Sequence, residues 1–493
     1  MKIVKLFLLS LSGLAVAVYA QEQTCSVVDV DEVDPALKEM TYNVGDGEKT
    51  TMVYMEPDIK SFYNGNPPAS TKVVPKFNGL AGKFINLSNQ YLRFYWEANA
   101  GGQAHLMRHY KPFSAGGSGT FPGHRFFWTP EESDTRLETH IVGDYPNNIY
   151  VYDPYTVKGD VYATEKNLKQ LTKNERKEYD DWQRTLSFND QYLNVTGRSY
   201  LANYLRPPPQ HFMWRADHFG QEHWITTRET HFTKVPPQDE VEPILISGKK
   251  RVLKKGDARL LEQYRDPDQK VMNMTLKVIS CAPRAFEIQN FLSPAEVEHI
   301  LQLAGAIDLA DSTTGDVGPG EKNTSPEKLT KTRTSQNSWV PREKSPIIDA
   351  IYRRSADLLR MDESLLRYRS DGELREMTTK KSLGESLQLV HYDKTQEYTA
   401  HHDFGYSRID DKQQGARYST LLFYLNDGMS GGETSFPRWV NAETFEALKV
   451  TPEAGKAILF YSQLPDGNLD DFSQHAALPI KDGEKWLINS WIW

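Results

Sequence analysis

A chain of 493 residues with 39% hydrophobic and 25% charged residues has an ordinary soluble globular composition, and it is too long for a single core. Two or three domains are therefore expected. A formal net charge of −8 argues against a nucleic-acid partner, since phosphate binding leans on clustered Lys and Arg.

The first twenty residues, MKIVKLFLLSLSGLAVAVYA, read as a secretory signal peptide (1–20). Lys2 and Lys5 supply the positive start, Leu6 to Val18 the apolar stretch, and Val18-Tyr19-Ala20 a small-residue cleavage site. An uncleaved anchor is the competing reading, but the apolar run is short for a bilayer, which wants about 20 residues. The expectation is a protein of the secretory pathway, in the endoplasmic reticulum lumen or secreted, with no stable membrane span after cleavage. The only cysteines are Cys25 and Cys281, and one bridge between them or two buried thiols both fit. Glycosylation sequons stand at Asn86, Asn194, Asn273 and Asn323. Average composition alone gives about as many.

Residues 40–160 are rich in Tyr, Phe, Trp and Gly, and short alternating runs (INLSNQYLRFYW, HRFFW, NNIYVYDPY) are separated by turn clusters. That spacing predicts a β-sandwich-like domain. A helix is predicted from Thr164 onward, with Leu168, Leu171, Tyr179, Trp182 and Leu186 on its buried stripe. It opens a helical and irregular linker region, 161–271. Within it the basic run GKKRVLKKG at 248–256 reads as solvated linker, with a partner-binding patch as the alternative. The last domain spans 272–493. MTLKVIS is strand-like, and Ser293-Pro294-Ala295-Glu296 combines an N-cap, a proline at the first helical position and a reciprocal glutamate. A second helix starts at Ser345, and 311–328 reads as a long polar loop between the two, a flexible insertion with a substrate-ordered lid as the alternative. From 385 onward the pattern turns to strands: SLQLVHY, YSTLLFYL, KAILFY and KWLINSWIW.

The stretch EYTAHHDFGY (397–406) carries the chemistry. Alternate residues of a strand share a face, so His401, not His402, stands beside Asp403. With His475 from a neighbouring strand, this gives two imidazoles and one carboxylate on one face of an octahedral ion. Three positions stay open, as non-haem Fe(II) requires to hold a bidentate cosubstrate and O₂ together. Lys485, in an apolar strand beside Trp486, suggests an anionic ligand, because a buried cation needs a partner. A lysine snorkelling to the surface is the alternative.

These residues carry a resemblance. PRAFEIQNFLS (283–293), RTS (333–335), ESLQLVHYDKTQEYTAHHD (385–403), RYSTLLFYLND, GGETSFP, His475, and Lys485-Trp486 followed by Asn489 and Trp491 occur in the order seen in prolyl 4-hydroxylases. Residues 276–493 thus resemble the catalytic domain of that family of 2-oxoglutarate- and Fe(II)-dependent dioxygenases. The resemblance implies a mainly β (α+β) fold, a C-terminal double-stranded β-helix (jelly roll) with flanking helices. It implies His401, Asp403 and His475 as iron ligands, Lys485 as partner of the 2-oxoglutarate C5 carboxylate, and Tyr392 as a further cosubstrate contact. Ascorbate as reductant, O₂ as oxidant and a proline-rich peptide or protein as substrate follow as family expectations. Arg417 is the candidate for substrate contact or for support of the ligands, with a structural salt bridge as the alternative. Other substrates of the same chemistry, or a jelly roll that only binds, are the competing functions.

The chain departs from the family pattern in four places. The glycine-bearing spacer between the two tyrosines is DKTQE, two family cysteines are Val297 and Leu478, and Trp493 stands where the family commonly has a substrate-associated histidine. Within 80–155, the asparagine-led strand, the Gly-rich loop and the turn with Gly123, His124 and Phe126 resemble the β-domain of the von Hippel–Lindau protein. That resemblance implies an N-terminal domain able to bind protein or hydroxyproline, against a purely structural sandwich.

Overall fold

Strands 387–392, 419–424 and 457–461 are buried along their whole length, which demands cover on both faces. A computed structural model describes residues 34–45, 48–56, 64–65, 77–203, 205, 211–237, 261–312, 333–369, 382–404 and 416–493. The leader, Cys25, the basic run 248–256, Asn323 and the 311–328 loop beyond Ser312 lie outside the described residues.

The three buried strands belong to a nine-stranded antiparallel sheet. Its order is Glu222–Thr227, Met272–Ser280, Ala285–Ile288, Ala457–Tyr461, Ser419–Tyr424, Lys485–Ile492, Leu387–Tyr392, Gln336–Val340 and Ala310–Asp311. A four-stranded sheet faces it, in the order Tyr398–His401, His475–Ala477, Thr434–Phe436 and Leu448–Val450. Side chains alternate between two cores with the period of two that strands impose. Leu422, Tyr424, Ile458 and Phe460 fill the space between the sheets with Phe436 and Val450. Leu421, Phe423, Leu459 and Ile488 point the other way, into a core shared with the helices Pro294–Gly305 and Pro346–Leu358. The fold is thus mainly β, a jelly roll with helices on its outer face.

Both helices start as their sequences dictate. Ser293 and Glu296 form a reciprocal capping box, and Ser345 caps the second helix through Ile348 N. Glu296 also reaches across. Arg354 of the second helix meets it in a bidentate pair at 2.8 and 2.9 Å, and both side chains are fully buried. Arg354 spends its remaining donors on the carbonyls of Glu229, Thr230 and Phe291, so the buried pair is saturated.

Residues 80–152 form two layers. Leu80–Asn86 sits between Ser114–Thr120 and Ile149–Tyr152, and Leu92–Glu97 lies in a four-stranded sheet with Ala104–Tyr110, Arg125–Pro130 and Thr139–Ile141. Phe84 of the first layer packs on Phe94 and Phe126 of the second, with Trp128 beyond them. This is the sandwich that the alternating aromatics predict. Asn86 is fully buried within it, donating to Gln90 O and Lys111 O, so that sequon is not open to a glycan. The helix predicted from Thr164 is two helices, Val161–Leu168 and Lys173–Thr196. The break has a local cause: Thr172 and Glu175 make a capping box that restarts the helix. Among the described residues no helix is long and apolar enough to cross a membrane.

The sandwich, the long helix and the jelly roll share an apolar cluster. Phe188, Tyr192 and Tyr200 pack there with Phe404, Ala416 and Leu469. Cys281 is buried at the foot of the large sheet, and its N–H donates to Asn64 Oδ1 at 2.6 Å.

Candidate active site

His401 closes one strand of the small sheet and His475 opens the next, and the two are direct cross-strand partners. His401 Nδ1 lies 2.8 Å from Thr399 O, and His475 Nδ1 lies 3.1 Å from Ser473 O. A carbonyl only accepts, so Nδ1 carries a proton in both rings and Nε2 is the nitrogen left to face an ion. Asp403 stands 3.7 Å from His401 Nε2 and 3.4 Å from His475 Nε2. One ligand atom from each of the three lies within 4.8 Å of the others. Cis ligands at ~2.1 Å from a first-row ion are ~3 Å apart, so the three close on such an ion with small shifts.

Strand alternation selects the histidine that clusters with Asp403 and His475, yet Asp403 itself lies beyond the strand, which ends at His401. Its carboxylate is held by two donors from the large sheet: Thr420 Oγ1 at 2.8 Å and Trp491 Nε1 at 3.0 Å, both to Oδ2. Burial opposes the charge of Asp403, but His475, His401, Arg417 and the Trp491 N–H outweigh it and hold the carboxyl well below its usual range. Burial, reinforced by His475, pushes His401 well below its ordinary value and keeps it neutral. A carboxylate beside a neutral imidazole suits a divalent ion, which binds the deprotonated forms of its ligands. His402 points the opposite way, with Nε2 2.9 Å from Asp471 O and 3.1 Å from its Oδ1.

Lys485 begins the strand that ends in Trp491 and Ile492, and it is fully buried opposite Tyr392. Among the described residues its Nζ has one hydrogen-bond acceptor, Gly432 O at 2.6 Å, and the rings of Tyr392 and Tyr424 flank it at 5.6 and 5.5 Å. Burial pulls its pKa down to about 7, with only Glu433 acting to raise it. A cation so enclosed and so poorly partnered is built for an anion. The snorkelling alternative fails, since no part of the side chain reaches solvent.

Arg417 is spent differently. Its Nε and one terminal nitrogen grip Glu385 at 2.6 and 3.0 Å, and its plane lies 3.8 Å from the Trp491 ring. Trp493 Nε1 donates to the same Glu385 oxygen at 2.8 Å. The residue in place of the family histidine is therefore tied back to the Arg417–Glu385 pair. Thr420 and Glu385 were not singled out by sequence reasoning as supports of the site. Both nevertheless lie in stretches that carry the family resemblance, Glu385 in ESLQLVHYDKTQEYTAHHD and Thr420 in RYSTLLFYLND.

The profile described as the 2OG-Fe(II) oxygenase superfamily matches residues 387–493, which contain His401, Asp403, His475 and Lys485. A probable prolyl 4-hydroxylase (number 3) of Arabidopsis thaliana is 32% identical over 228 residues, covering 44% of this chain and 71% of that protein. The chain belongs to the prolyl 4-hydroxylase family. A second Arabidopsis thaliana relative, probable prolyl 4-hydroxylase 8, is 31% identical over 242 residues, covering 47% of this chain and 75% of its own. The solved viral collagen prolyl hydroxylase of Paramecium Bursaria Chlorella virus-1, in complex with 2-oxoglutarate, is 25% identical and gives a TM-score of 0.29. It matches over 42% of this chain and 94% of its own. Prolyl 4-hydroxylases are 2-oxoglutarate-dependent dioxygenases that use Fe(II), 2-oxoglutarate and O₂, with ascorbate as the typical reductant. The site fits that set: two imidazoles and a carboxylate for the ion, and a buried lysine with no carboxylate hydrogen-bonded to it among the described residues for the cosubstrate.

Proposed function

We propose that this enzyme hydroxylates prolyl residues of a peptide or protein in the secretory pathway. The observation that carries the reading is the convergence of His401, Asp403 and His475 in the same jelly roll as the buried Lys485. Bound Fe(II) and 2-oxoglutarate supply the oxidising chemistry: O₂ is consumed, 2-oxoglutarate becomes succinate and CO₂, and one oxygen atom enters a substrate C–H bond. The chain's own residues bind and orient. His401, Asp403 and His475 would hold the ion, and Lys485 would pair with the far carboxylate of the cosubstrate, beside the ring of Tyr392. Arg417, gripped by Glu385, stacks on Trp491 and supports the indole that restrains Asp403, which favours the supporting role over substrate contact.

Two further parts of the reading rest on narrower support. The N-terminal leader pattern favours lumenal residence. The sandwich presents exposed Phe121 beside His124, whose Nδ1 is 3.1 Å from Thr120 Oγ1, and exposed Leu106 and Met107 on its edge strand, and this suits a surface for protein or hydroxyproline.

The test is an assay of purified full-length protein with Fe(II), ascorbate, 2-oxoglutarate and proline-rich peptides. Succinate release should rise with peptide, in step with addition of one oxygen atom to proline. Succinate release indifferent to every proline peptide would move the assignment to another substrate.

A further inference from the structure

The loop that leads into His475 is bonded to several N-terminal parts of the fold: the strand ending at Met55, the helix Lys173–Thr196, the segment at Leu201 and the sandwich region. Asp466 Oδ2 accepts Met55 N and Tyr192 Oη, both at 2.8 Å, and Asn468 Oδ1 accepts Leu201 N at 2.7 Å. Asp471, four residues before the ligand, accepts Ala81 N at 2.9 Å and Asn148 Nδ2 at 3.0 Å, both from the sandwich region. The same Asp471 receives His402, which sits between the ligands His401 and Asp403. Both His402 and Asp471 are almost wholly buried.

This link joins the two segments that carry the ligands. The first segment leaves its strand at His401, so neither His402 nor Asp403 is fixed by the pairing between strands. Just past the strand end, His402 meets Asp471 rather than the Asp403–His475 cluster. Its Nε2 meets two acceptors, the Asp471 backbone oxygen and Oδ1, so Nε2 carries the proton and donates to both. Arg438 NH2, 3.3 Å from Asp471 Oδ2, completes the partners of that carboxylate.

We propose that His402 and Asp471 are positioning residues: their cross-link sets the spacing of the two ligand-bearing segments and, through Ala81 and Asn148, couples metal affinity to the N-terminal sandwich. The proposal rests on the iron reading of the site. A ligand set works within about 0.5 Å of its productive geometry, and loss of an outer partner typically weakens metal binding 10–100-fold. His402 touches no ligand side chain, so its effect passes through the backbone of its own segment.

The experiment is calorimetric titration of Mn(II) into metal-free full-length protein, with near-UV circular dichroism to report the folded fraction. His402→Ala should weaken Mn(II) binding by about tenfold or more, while His402→Gln, whose amide N–H reaches nearly as far as Nε2, should restore most of it. Asp471→Asn keeps shape but offers one oxygen less, and it should also weaken binding, with no further loss when combined with His402→Ala. Asn148→Ala, outside the jelly roll, should weaken Mn(II) binding measurably in folded protein. Unchanged Mn(II) affinity in folded His402→Ala and Asp471→Asn, with only a lower melting temperature, would overturn the proposal and leave a packing contact. Failure of the underlying iron reading looks different: wild type and His401→Ala would bind Mn(II) alike, and the proposal would fall with it.

Discussion

Lys485 makes cosubstrate binding a proton-linked event. Burial lowers its pKa from 10.5 to about 7. At about 1.4 kcal/mol per pH unit, keeping it charged there costs the fold roughly 4–5 kcal/mol. The unfolded lysine is protonated up to its ordinary pKa, so this cost is fully present below pH 7 and is relieved as pH rises from about 7 towards 10.5. A dicarboxylate that pairs with the ammonium raises its pKa again. Binding of 2-oxoglutarate to the Mn(II)-loaded protein should therefore take up about 0.5 proton at pH 7 and about 0.9 at pH 8, with affinity falling nearly tenfold per unit above pH 7. Calorimetry in buffers of different ionisation enthalpy reads the proton count directly. Lys485→Met should raise the melting temperature of the ligand-free protein while weakening 2-oxoglutarate by about a hundredfold, a loss of about 3 kcal/mol. A heat of binding independent of buffer at pH 8, or a Lys485→Met protein less stable than wild type, would refute the reasoning.

Glu296→Gln removes half of a buried ion pair and leaves Arg354 without its counter-charge, so urea unfolding should show a loss of about 3–5 kcal/mol with little change in metal affinity. Trp491→Phe deletes an N–H bonded to Asp403 and should weaken Mn(II) binding about tenfold, read by the same titration, at small cost in melting temperature. Gly455→Ala places a methyl group 2.5 Å from Leu292 O at a φ of +81°, and thermal unfolding should report a loss of more than about 1 kcal/mol.

The strands of the jelly roll were legible because 419–424 and 485–492 are dense in apolar and aromatic residues with few breaks. The helices were legible because Ser293 and Ser345 announce them, and the break at Thr172 was written in the same capping code, though the apolar stripe running through it concealed it. His401 could be chosen over His402 from alternation alone. The restraint of Asp403 by Thr420 and Trp491 could not, because it depends on how strands distant in sequence pair in space. Asp466, Asn468 and Asp471 were hidden for another reason. In a loop, such residues read as turn formers, and nothing local reveals that their oxygens are claimed by donors hundreds of positions away.

The apolar cluster of Phe188, Tyr192 and Tyr200 with Phe404 and Leu469 has a consequence for any attempt to trade parts with other hydroxylases. Severing the chain ahead of 272 would strip aromatic cover from Phe404, the neighbour of Asp403, and leave three acceptors of the 464–474 loop facing water. A transplanted catalytic half would need a new lid of comparable shape and donors, or its oxygen chemistry would travel without the frame that aligns it.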